Sequence, residues 1–281
     1  MEFTARQHQW VFPRPAVVMG ILNVTPDSFS DGGCYFDPER AVARGEELVA
    51  EGAEVIDIGG ESTRPGAAPV DEAEELRRVI PVVRALAAKT RALISVDTRK
   101  AGVARAALEA GAGLINDIEA HRTDPELWKA VAAAGAGYVL MHMQGTPGTM
   151  QVNPQYRDVV GEVAAFFEER MRCLEHSGVQ REQVLLDPGI GFGKTLEHNL
   201  ALLRGLRVLS SAGRPILLGV SRKSFIGRLF GAEPDQRTGA SVACALWAAD
   251  AGVGVFRVHD VAQTVQALRM REILNHQTNT R

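Results

Sequence analysis

The sequence predicts an α/β protein with the fold of a single (β/α)8 TIM barrel. Short runs of β-branched residues alternate eight times with longer stretches rich in Ala, Leu and Glu. A strand that returns through a helix pairs in parallel with its neighbour. The eight units fill about 240 residues without a linker rich in Pro, Gly or Ser. This count favours a closed barrel over an open doubly wound sheet, which is the competing arrangement.

Each predicted strand is short, and each is followed by a stretch long enough for a helix. In chain order the predicted strands are Ala16–Val24, Val55–Gly60, Leu93–Thr98, Leu114–Ile118, Tyr138–Met143, Val184–Pro188, Ile216–Ser221 and Val255–His259. In the same order the predicted helices are Glu39–Ala53, Glu72–Lys89, Val103–Ala110, Glu126–Ala134, Val159–Ser177, Leu196–Ser211, Thr238–Ala251 and Val261–Leu274.

The predicted helices begin and end at residues that favour helix ends. Asp37, Asp71 and Asp124 stand at three helix starts, where an aspartate side chain can accept backbone N–H groups. A glycine stands shortly before six of the strands, where it can take the left-handed conformation that ends a helix. These glycines are Gly52, Gly111, Gly135, Gly178, Gly213 and Gly252.

Composition excludes several classes of protein. Apolar residues make up 46% and charged residues 23% of the chain, as in ordinary globular proteins. The 31 basic and 34 acidic side chains give a net charge of −3, which argues against a nucleic-acid binder. The three cysteines form no Cys-x-x-Cys pair, so a disulfide scaffold or structural zinc is not expected and a reducing compartment fits.

The N-terminal residues offer no apolar stretch for a signal peptide, and no window of 18 uncharged apolar residues occurs in the chain. We therefore expect a soluble cytoplasmic protein that does not associate with membranes. Residues 1–15 are interpreted as an N-terminal extension and residues 16–281 as the barrel domain.

Polar side chains stand at the C-terminal end of every predicted strand, which is where TIM barrels carry their catalytic residues. Any one aspartate among them could simply cap the next helix, but all eight together predict a site. In strand order they are Asn23, the segment 61–64, Asp97, Asn116 with Asp117, His142, Asp187, the segment 221–223, and Arg257 with His259.

The loops after the first and second strands, residues 25–33 and 61–66, are rich in Gly, Pro and small polar residues. This composition predicts mobile loops that close over a substrate.

Two motifs suggest nucleotide or metal binding, but neither matches the pattern that such a site requires. The segment 189–195, GIGFGKT, resembles a phosphate-binding loop, but Pro188 stands where the Walker pattern needs glycine. Lys194 stands where the dinucleotide pattern needs its third glycine. His142 has no second ligand at the spacing of a metal-binding helix, so a buried or rim histidine is the better interpretation.

The residues at the strand ends lie in segments that resemble the dihydropteroate synthases, a family of pterin-binding enzymes. The two longest are GILNVTPDSFSDGG at 20–33 and IDIGGESTRPG at 56–66. Shorter ones are SVDT at 95–98, IND at 115–117, MHMQGTP at 141–147, LDPGIGFGK at 186–194, SRKSF at 221–225 and RVHD at 257–260. The resemblance runs from about residue 17 to 274, and residues 119–121 and 148 depart most from the family.

The resemblance implies a transferase of folate biosynthesis. Such an enzyme joins 4-aminobenzoate to 7,8-dihydropterin-6-ylmethyl diphosphate and releases 7,8-dihydropteroate and diphosphate, with Mg²⁺ as the cofactor. Sulfonamides are implied as inhibitors. A homodimer formed through the late helices, 238–251 and 261–274, is implied as well.

The resemblance also implies the role of each site residue. The pterin-binding residues would be Asp97, Asn116, Ile118, Met143, Asp187, Phe192 and Lys223. The 4-aminobenzoate-binding residues would be Phe29, Thr63, Pro65, Phe192 and Ser224. The diphosphate-binding residues would be Asn23, Thr63, Arg64, Arg257 and His259, with Asn23 also the metal ligand. The catalytic residues would be Asn23, Asp97, Lys223, Arg257 and His259.

Two other functions use the same scaffold. One is a pterin-binding module of the methyltransferase type, which hands a methyl group from a reduced folate to a corrinoid protein. The other is a catalytically silent paralogue. The intact segment 23–33 favours the synthase over the module, and the presence of both predicted mobile loops favours it over the paralogue.

Overall fold

Eight parallel strands form a ring in the computed structural model, which describes residues 1–25, 37–62, 69–120 and 125–275. In chain order the strands are β1 (Glu2–Ala5), β2 (His8–Val11), β3 (Val17–Asn23), β4 (Val55–Gly59), β5 (Leu93–Asp97), β6 (Leu114–Asp117), β7 (Gly137–Met141), β8 (Val184–Asp187), β9 (Leu217–Leu218) and β10 (Val255–Val258). The sheet order is β8-β7-β6-β5-β4-β3-β10-β9, and a parallel bridge between Leu186 and Ile216 joins its two ends. The predicted barrel is therefore confirmed.

Helices surround the ring and alternate with its strands. They are α1 (Pro38–Ala50), α2 (Glu72–Lys89), α3 (Ala101–Ala110), α4 (Glu126–Ala134), α5 (Val159–His176), α6 (Leu196–Arg204), α7 (Leu206–Ser210), α8 (Ser224–Phe230), α9 (Thr238–Asp250) and α10 (Val261–Asn275). Within the described ranges, no helix is both long and apolar enough to cross a membrane.

The aspartates and glycines predicted to favour helix ends have the expected conformation or contacts where the structure describes them. All six predicted glycines have positive φ, and Gly111 and Gly135 are left-handed C-caps. The side chain of Asp37 accepts the backbone N–H groups of α1, and that of Asp71 accepts one from α2. Asp124 lies outside the described residues.

The helix prediction was wrong at two places. The single helix expected at Leu196–Ser211 is broken at Gly205, where a Cβ would lie 2.7 Å from the Val160 side chain of α5. Glycine has no Cβ, so the chain approaches α5 closely at this residue, and the helix is interrupted there. Helix α8 was not predicted, because it occupies a short segment between the seventh barrel strand and the expected seventh helix.

A hairpin formed by β1 and β2 closes the N-terminal end of the barrel. Phe3 is fully buried and stacks on Trp10 with a ring-centroid distance of 5.2 Å. Both rings belong to one apolar cluster with the first residues of the barrel strands, such as Val17 and Val55. Sequence analysis predicted no strand here, because each arm alternates over only four residues. The apolar side chains of this cluster fill the interior of the barrel at its N-terminal end.

Candidate active site

A cavity of about 450 Å³ opens at the C-terminal ends of the barrel strands. It is lined by seven of the residues to which the resemblance assigns a role, which are Asn23, Asp97, Phe192, Lys223, Ser224, Arg257 and His259. These residues come from β3, β5 and β10, from the loops after β8, β9 and β10, and from the start of α8, so the ring of strands brings distant parts of the chain to one opening.

A second cavity, of about 730 Å³, lies at the opposite end of the barrel. Its lining is mainly apolar, and the charged groups at its edge are already engaged. Arg14 is paired with Glu54, Arg271 donates to Asp250, and the carboxylate of Glu272 accepts a backbone N–H. The smaller cavity, where the singled-out residues meet, is therefore the candidate site.

Four further predicted residues are buried beside the candidate site. Asn116, Ile118, Met143 and Asp187 are each at most 6% exposed. Phe29, Thr63, Arg64 and Pro65 lie outside the described residues, as do residues 26–33 and 63–66 of the two predicted mobile loops.

The guanidinium of Arg257 is held between two carboxylates at the floor of the cavity. Its Nε donates to Oδ2 of Asp57 at 2.6 Å, and its Nη2 donates to Oδ2 of Asp97 at 2.8 Å. Asp57 also accepts from the hydroxyl of Ser95 at 2.6 Å and from the amide of Asn116 at 3.0 Å. These bonds compensate the cost of burying the charges and fix the direction of the arginine.

Asp57 is a site residue that sequence analysis did not single out. It is fully buried in β4, between apolar neighbours. The available signal was a carboxylate inside an apolar strand, because such a group requires a partner when the strand is buried.

Burial shifts the pKa values of Asp97 and Arg257 in opposite directions. It raises the pKa of Asp97 to about 7, although the charge of Arg257 acts to lower it. Burial lowers the pKa of Arg257, but Asp57 and Asp97 more than offset this, so its pKa lies above the ordinary value. Arg257 is therefore a permanent cation, and its bond to Asp97 favours the ionised form of that carboxyl against the effect of burial.

Lys223 and Asp187 form a second charged region of the site. Burial lowers the pKa of Lys223 to about 8, and Asp187 opposes this shift. Burial also raises the pKa of Asp187, against the charge of Lys223 and a 2.7 Å bond from the Gly189 N–H. The Lys223 ammonium donates to the carbonyl of Ile190 and lies 4.7 Å from the centroid of the Phe192 ring. A ligand here would meet a buried acceptor beside a cation over an aromatic face.

An apolar wall adjoins these polar groups. It consists of Ile118, Met141, Met143 and Met150, with Phe192 packed against them. Met150 was not singled out, because it lies in a loop and follows no periodic pattern. Thioether and aromatic faces next to a carboxylate and an amide suit a flat heterocycle with hydrogen-bonding edges.

His259 stands at the end of β10 with its ring fixed by Ser221. The backbone N–H of His259 donates to the Ser221 hydroxyl at 3.1 Å, and Nδ1 lies 3.0 Å from the same oxygen. His259, Arg257 and Asn23 line the same cavity and together suit an anion that carries a hard metal ion.

Asn23 offers an amide oxygen as a metal ligand. Within the described ranges, no group of three or more His, Cys, Asp or Glu side chains is arranged to hold a metal. A divalent ion at Asn23 would thus take its other ligands from a bound anion and from water, as Mg²⁺ does when it accompanies phosphates.

Known proteins resemble the chain over nearly its whole length. A family model described as "Pterin binding enzyme" matches residues 19–259, a range that contains every residue discussed in this site. The dihydropteroate synthase of Escherichia coli (strain K12) is 50% identical over 255 residues, which are 91% of this chain and 90% of the relative.

Solved structures agree in fold as well. A dihydropteroate synthase from Yersinia pestis in a sulfonamide drug complex has a TM-score of 0.91 and 48% identity, covering 98% of this chain and 99% of that one. The enzyme from Xanthomonas albilineans in complex with 7,8-dihydropteroate has a TM-score of 0.88 and 46% identity, with the same two coverages.

Proposed function

The chain belongs to the dihydropteroate synthases, within the family of pterin-binding enzymes, and we propose that the cavity at the C-terminal ends of its strands binds both substrates of that reaction. The enzyme condenses 7,8-dihydropterin-6-ylmethyl diphosphate with 4-aminobenzoate and yields 7,8-dihydropteroate and diphosphate. The observation that carries the assignment to this cavity is the juxtaposition of the buried Asp187, the apolar wall and the Arg257–His259 pair.

The pterin is expected at the buried side of the cavity. Its amide-like N–H and the neighbouring exocyclic amine are two parallel donors that suit the carboxylate of Asp187. Asp97 and Asn116 would bind the remaining donors and acceptors of the ring, and the Lys223 ammonium would donate to a ring carbonyl or nitrogen. The wall formed by Ile118 and its methionine neighbours would cover the ring face.

The diphosphate is expected between Arg257, His259 and Asn23. The bonds from Arg257 to the two carboxylates use Nε and Nη2, which leaves Nη1 to donate to the diphosphate. Mg²⁺ held by diphosphate oxygens and Asn23 would neutralise charge on the leaving group.

The 4-aminobenzoate is expected against Phe192 and Ser224, together with Phe29, Thr63 and Pro65 of the regions outside the described residues. Ser224 is exposed at the first position of α8. Its hydroxyl and the positive end of the helix suit a carboxylate.

The reaction needs stabilisation of the leaving group more than activation of the nucleophile. The neutral aniline nitrogen attacks the methylene carbon of the pterin, the C–O bond to diphosphate breaks, and the nitrogen releases a proton to water. Negative charge grows on the diphosphate as that bond breaks. The side chains of Arg257 and His259 lie where they can stabilise it, so they are the catalytic residues of this step.

One assay tests the function against both alternatives. The purified protein should release diphosphate from the pterin diphosphate only when 4-aminobenzoate is also present, and a sulfonamide should compete with 4-aminobenzoate. Methyl transfer from a reduced folate to a corrinoid protein would instead identify the methyltransferase-type module. Pterin binding without turnover would identify the silent paralogue.

We also propose that the enzyme is a homodimer formed through α9 and α10. Four large apolar side chains on these helices are more than half exposed, which are Trp247, Met270, Ile273 and Leu274. Apolar patches of this kind favour association with a second copy. Sedimentation should give twice the chain mass, and Trp247→Glu should shift it to the monomer. A monomeric wild-type protein at micromolar concentration would contradict the proposal.

We also propose that the protein is located in the cytoplasm. The thiols of Cys173 and Cys244 are free, and the cytoplasm would keep them reduced. Fractionation of the cells that produce the protein tests this location.

A further inference from the structure

Lys194 is a buried lysine whose ammonium bonds to two loops of the active site. It is only 1% exposed. Its Nζ donates to the backbone carbonyl of Phe192 at 2.9 Å and to that of His142 at 3.2 Å, and it lies 3.0 Å from Nδ1 of the His142 ring. The three donors of one ammonium thus match three acceptors on the loops that follow β7 and β8.

These two loops lie against each other with their backbones in contact. A Cβ at Gly189 would overlap the carbonyl oxygen of His142, and a Cβ at Gly193 would overlap that of Gln144. Both glycines also have positive φ, +67° and +62°. The glycines that made segment 189–195 resemble a phosphate-binding loop therefore serve close packing between loops, and Lys194 bonds the two backbones where they meet.

The bonded residues carry the walls of the pterin site. Met143 follows His142 directly, and Phe192 is one of the two residues whose carbonyl is held. Met143 and Phe192 belong to the same apolar wall. Lys223 depends on the loop after β8 too, because it donates to the carbonyl of Ile190 and stacks over the Phe192 ring.

We propose that Lys194 is a positioning residue for the pterin, which holds the loops after β7 and β8 together so that Met143, Phe192 and Lys223 keep the spacing that the ring requires. This inference rests on the proposed pterin site. Lys194 does not need to contact the substrate, since it acts through the two backbone carbonyls.

A lysine is costly at this position, and its surroundings make it tolerable. Burial lowers the pKa of Lys194 to about 7, although the charge of Asp187 opposes the shift. The Tyr156 ring, with its centroid 6.0 Å from Nζ, offers a weak cation–π contact. An apolar side chain would avoid the cost of burying a charge but would leave the two carbonyls without their donor. The hydrogen bonds to the two carbonyls therefore explain why a lysine stands at this position.

The variant Lys194→Met keeps the length of the side chain and removes its donors. Titration calorimetry with 7,8-dihydropterin-6-ylmethyl diphosphate and Mg²⁺ should show at least tenfold weaker binding, and KM for this substrate should rise by a similar factor while kcat changes less. The split between KM and kcat separates positioning from a general loss of active protein.

Arg214→Met is the matched control. Arg214 is also a buried cation, and it donates to the backbone carbonyls of Glu2, Glu182 and Val184 at the opposite end of the barrel. Both variants should lower Tm, but Arg214→Met should keep the Kd for the pterin diphosphate within twofold of wild type.

Three results decide the inference. A folded Lys194→Met protein with wild-type pterin affinity would overturn it, and so would an equal loss of affinity in Arg214→Met. If Lys194→Met does not fold, Gly193→Ala separates the same loops while keeping the lysine; it should weaken pterin binding, and unchanged affinity in that variant would also overturn the inference. Failure of the wild-type protein to bind the pterin diphosphate would instead refute the proposed function.

Discussion

Substituting Asp187 with asparagine tests the pterin site most directly. The carboxylate is 5% exposed, and its Oδ1 accepts the Gly189 N–H at 2.7 Å. Asparagine has nearly the same shape, so the fold is expected to survive. The change replaces one carboxylate oxygen by an NH₂ group. This group donates hydrogen bonds and cannot accept one from the pterin.

The size of the effect follows from the bonds lost. Hydrogen bonds to a charged group contribute about 1.5–3 kcal/mol each, and two of them give about 3–6 kcal/mol. Because about 1.4 kcal/mol corresponds to a tenfold change in Kd, the full loss would be roughly 10²- to 10⁴-fold. The amide oxygen of asparagine can still accept one bond, so we expect about a hundredfold, near the lower limit.

Titration calorimetry of the folded variant with the pterin diphosphate is the assay. Asp117→Asn is the control, because Asp117 is fully buried at the end of β6 and accepts from the Tyr138 hydroxyl at 2.6 Å. The control should lower Tm and leave the pterin Kd within threefold of wild type. A folded Asp187→Asn protein that binds the pterin diphosphate within threefold of wild type would show that Asp187 is not the pterin acceptor.

The protonation of Asp187 adds a pH dependence to the same experiment. Burial raises its pKa above the ordinary value, and the Lys223 charge opposes the shift. Only the ionised form accepts two donors, so pterin affinity should fall on acidification, beginning at a less acidic pH than for an exposed aspartate. Asp187→Asn should remove the part of this dependence that comes from residue 187, while the part that comes from Asp97 remains.

Three other predictions concern the cation, the metal and the second substrate. Burial lowers the pKa of Lys223 to about 8, so kcat/KM for the pterin diphosphate should fall as the pH rises through about 8, and Lys223→Arg should move that fall to higher pH. Mg²⁺ should bind weakly to the protein alone and tightly with diphosphate, since Asn23 supplies one oxygen ligand; full activity in excess chelator would contradict this. Calorimetry should show poor 4-aminobenzoate affinity for the empty protein and a clear gain with pterin, diphosphate and Mg²⁺, whereas equal affinities would refute ordered binding.

The barrel was predictable from the sequence because its determinants are local. Strands of two to seven residues alternate with helices, and the glycines at helix ends, such as Gly111 and Gly135, mark returns to the sheet. The fold rule that catalytic residues stand at the C-terminal strand ends then selected Asp97, Asp187 and Arg257 without any knowledge of their contacts.

What the sequence could not provide depends on contacts between distant residues. Asp57 bonds Arg257, which is 200 positions away in the chain, and no local pattern pairs a carboxylate in β4 with a guanidinium in β10. Lys194 lies in a segment that resembles a phosphate-binding loop without fitting its pattern, so no role for it followed from the sequence alone. In the structure, the backbone of residues 142–144 lies against glycines of that segment. Lys194 bonds to this backbone, and this contact gives the lysine its positioning role.

The C-terminal end of the barrel carries the binding residues, and the N-terminal end contributes apolar burial that stabilises the fold. At the C-terminal end, Lys194 and Asp187 are buried ionisable groups and Lys223 is partly buried, and burying them costs free energy even when they are hydrogen-bonded. At the N-terminal end, Phe3 and Trp10 of the hairpin bury aromatic surface against the first residues of the strands. Each such side chain stabilises the fold by about 1.5–3 kcal/mol or more. Because every barrel strand contributes to both ends, apolar burial at one end can offset the cost of charges at the other.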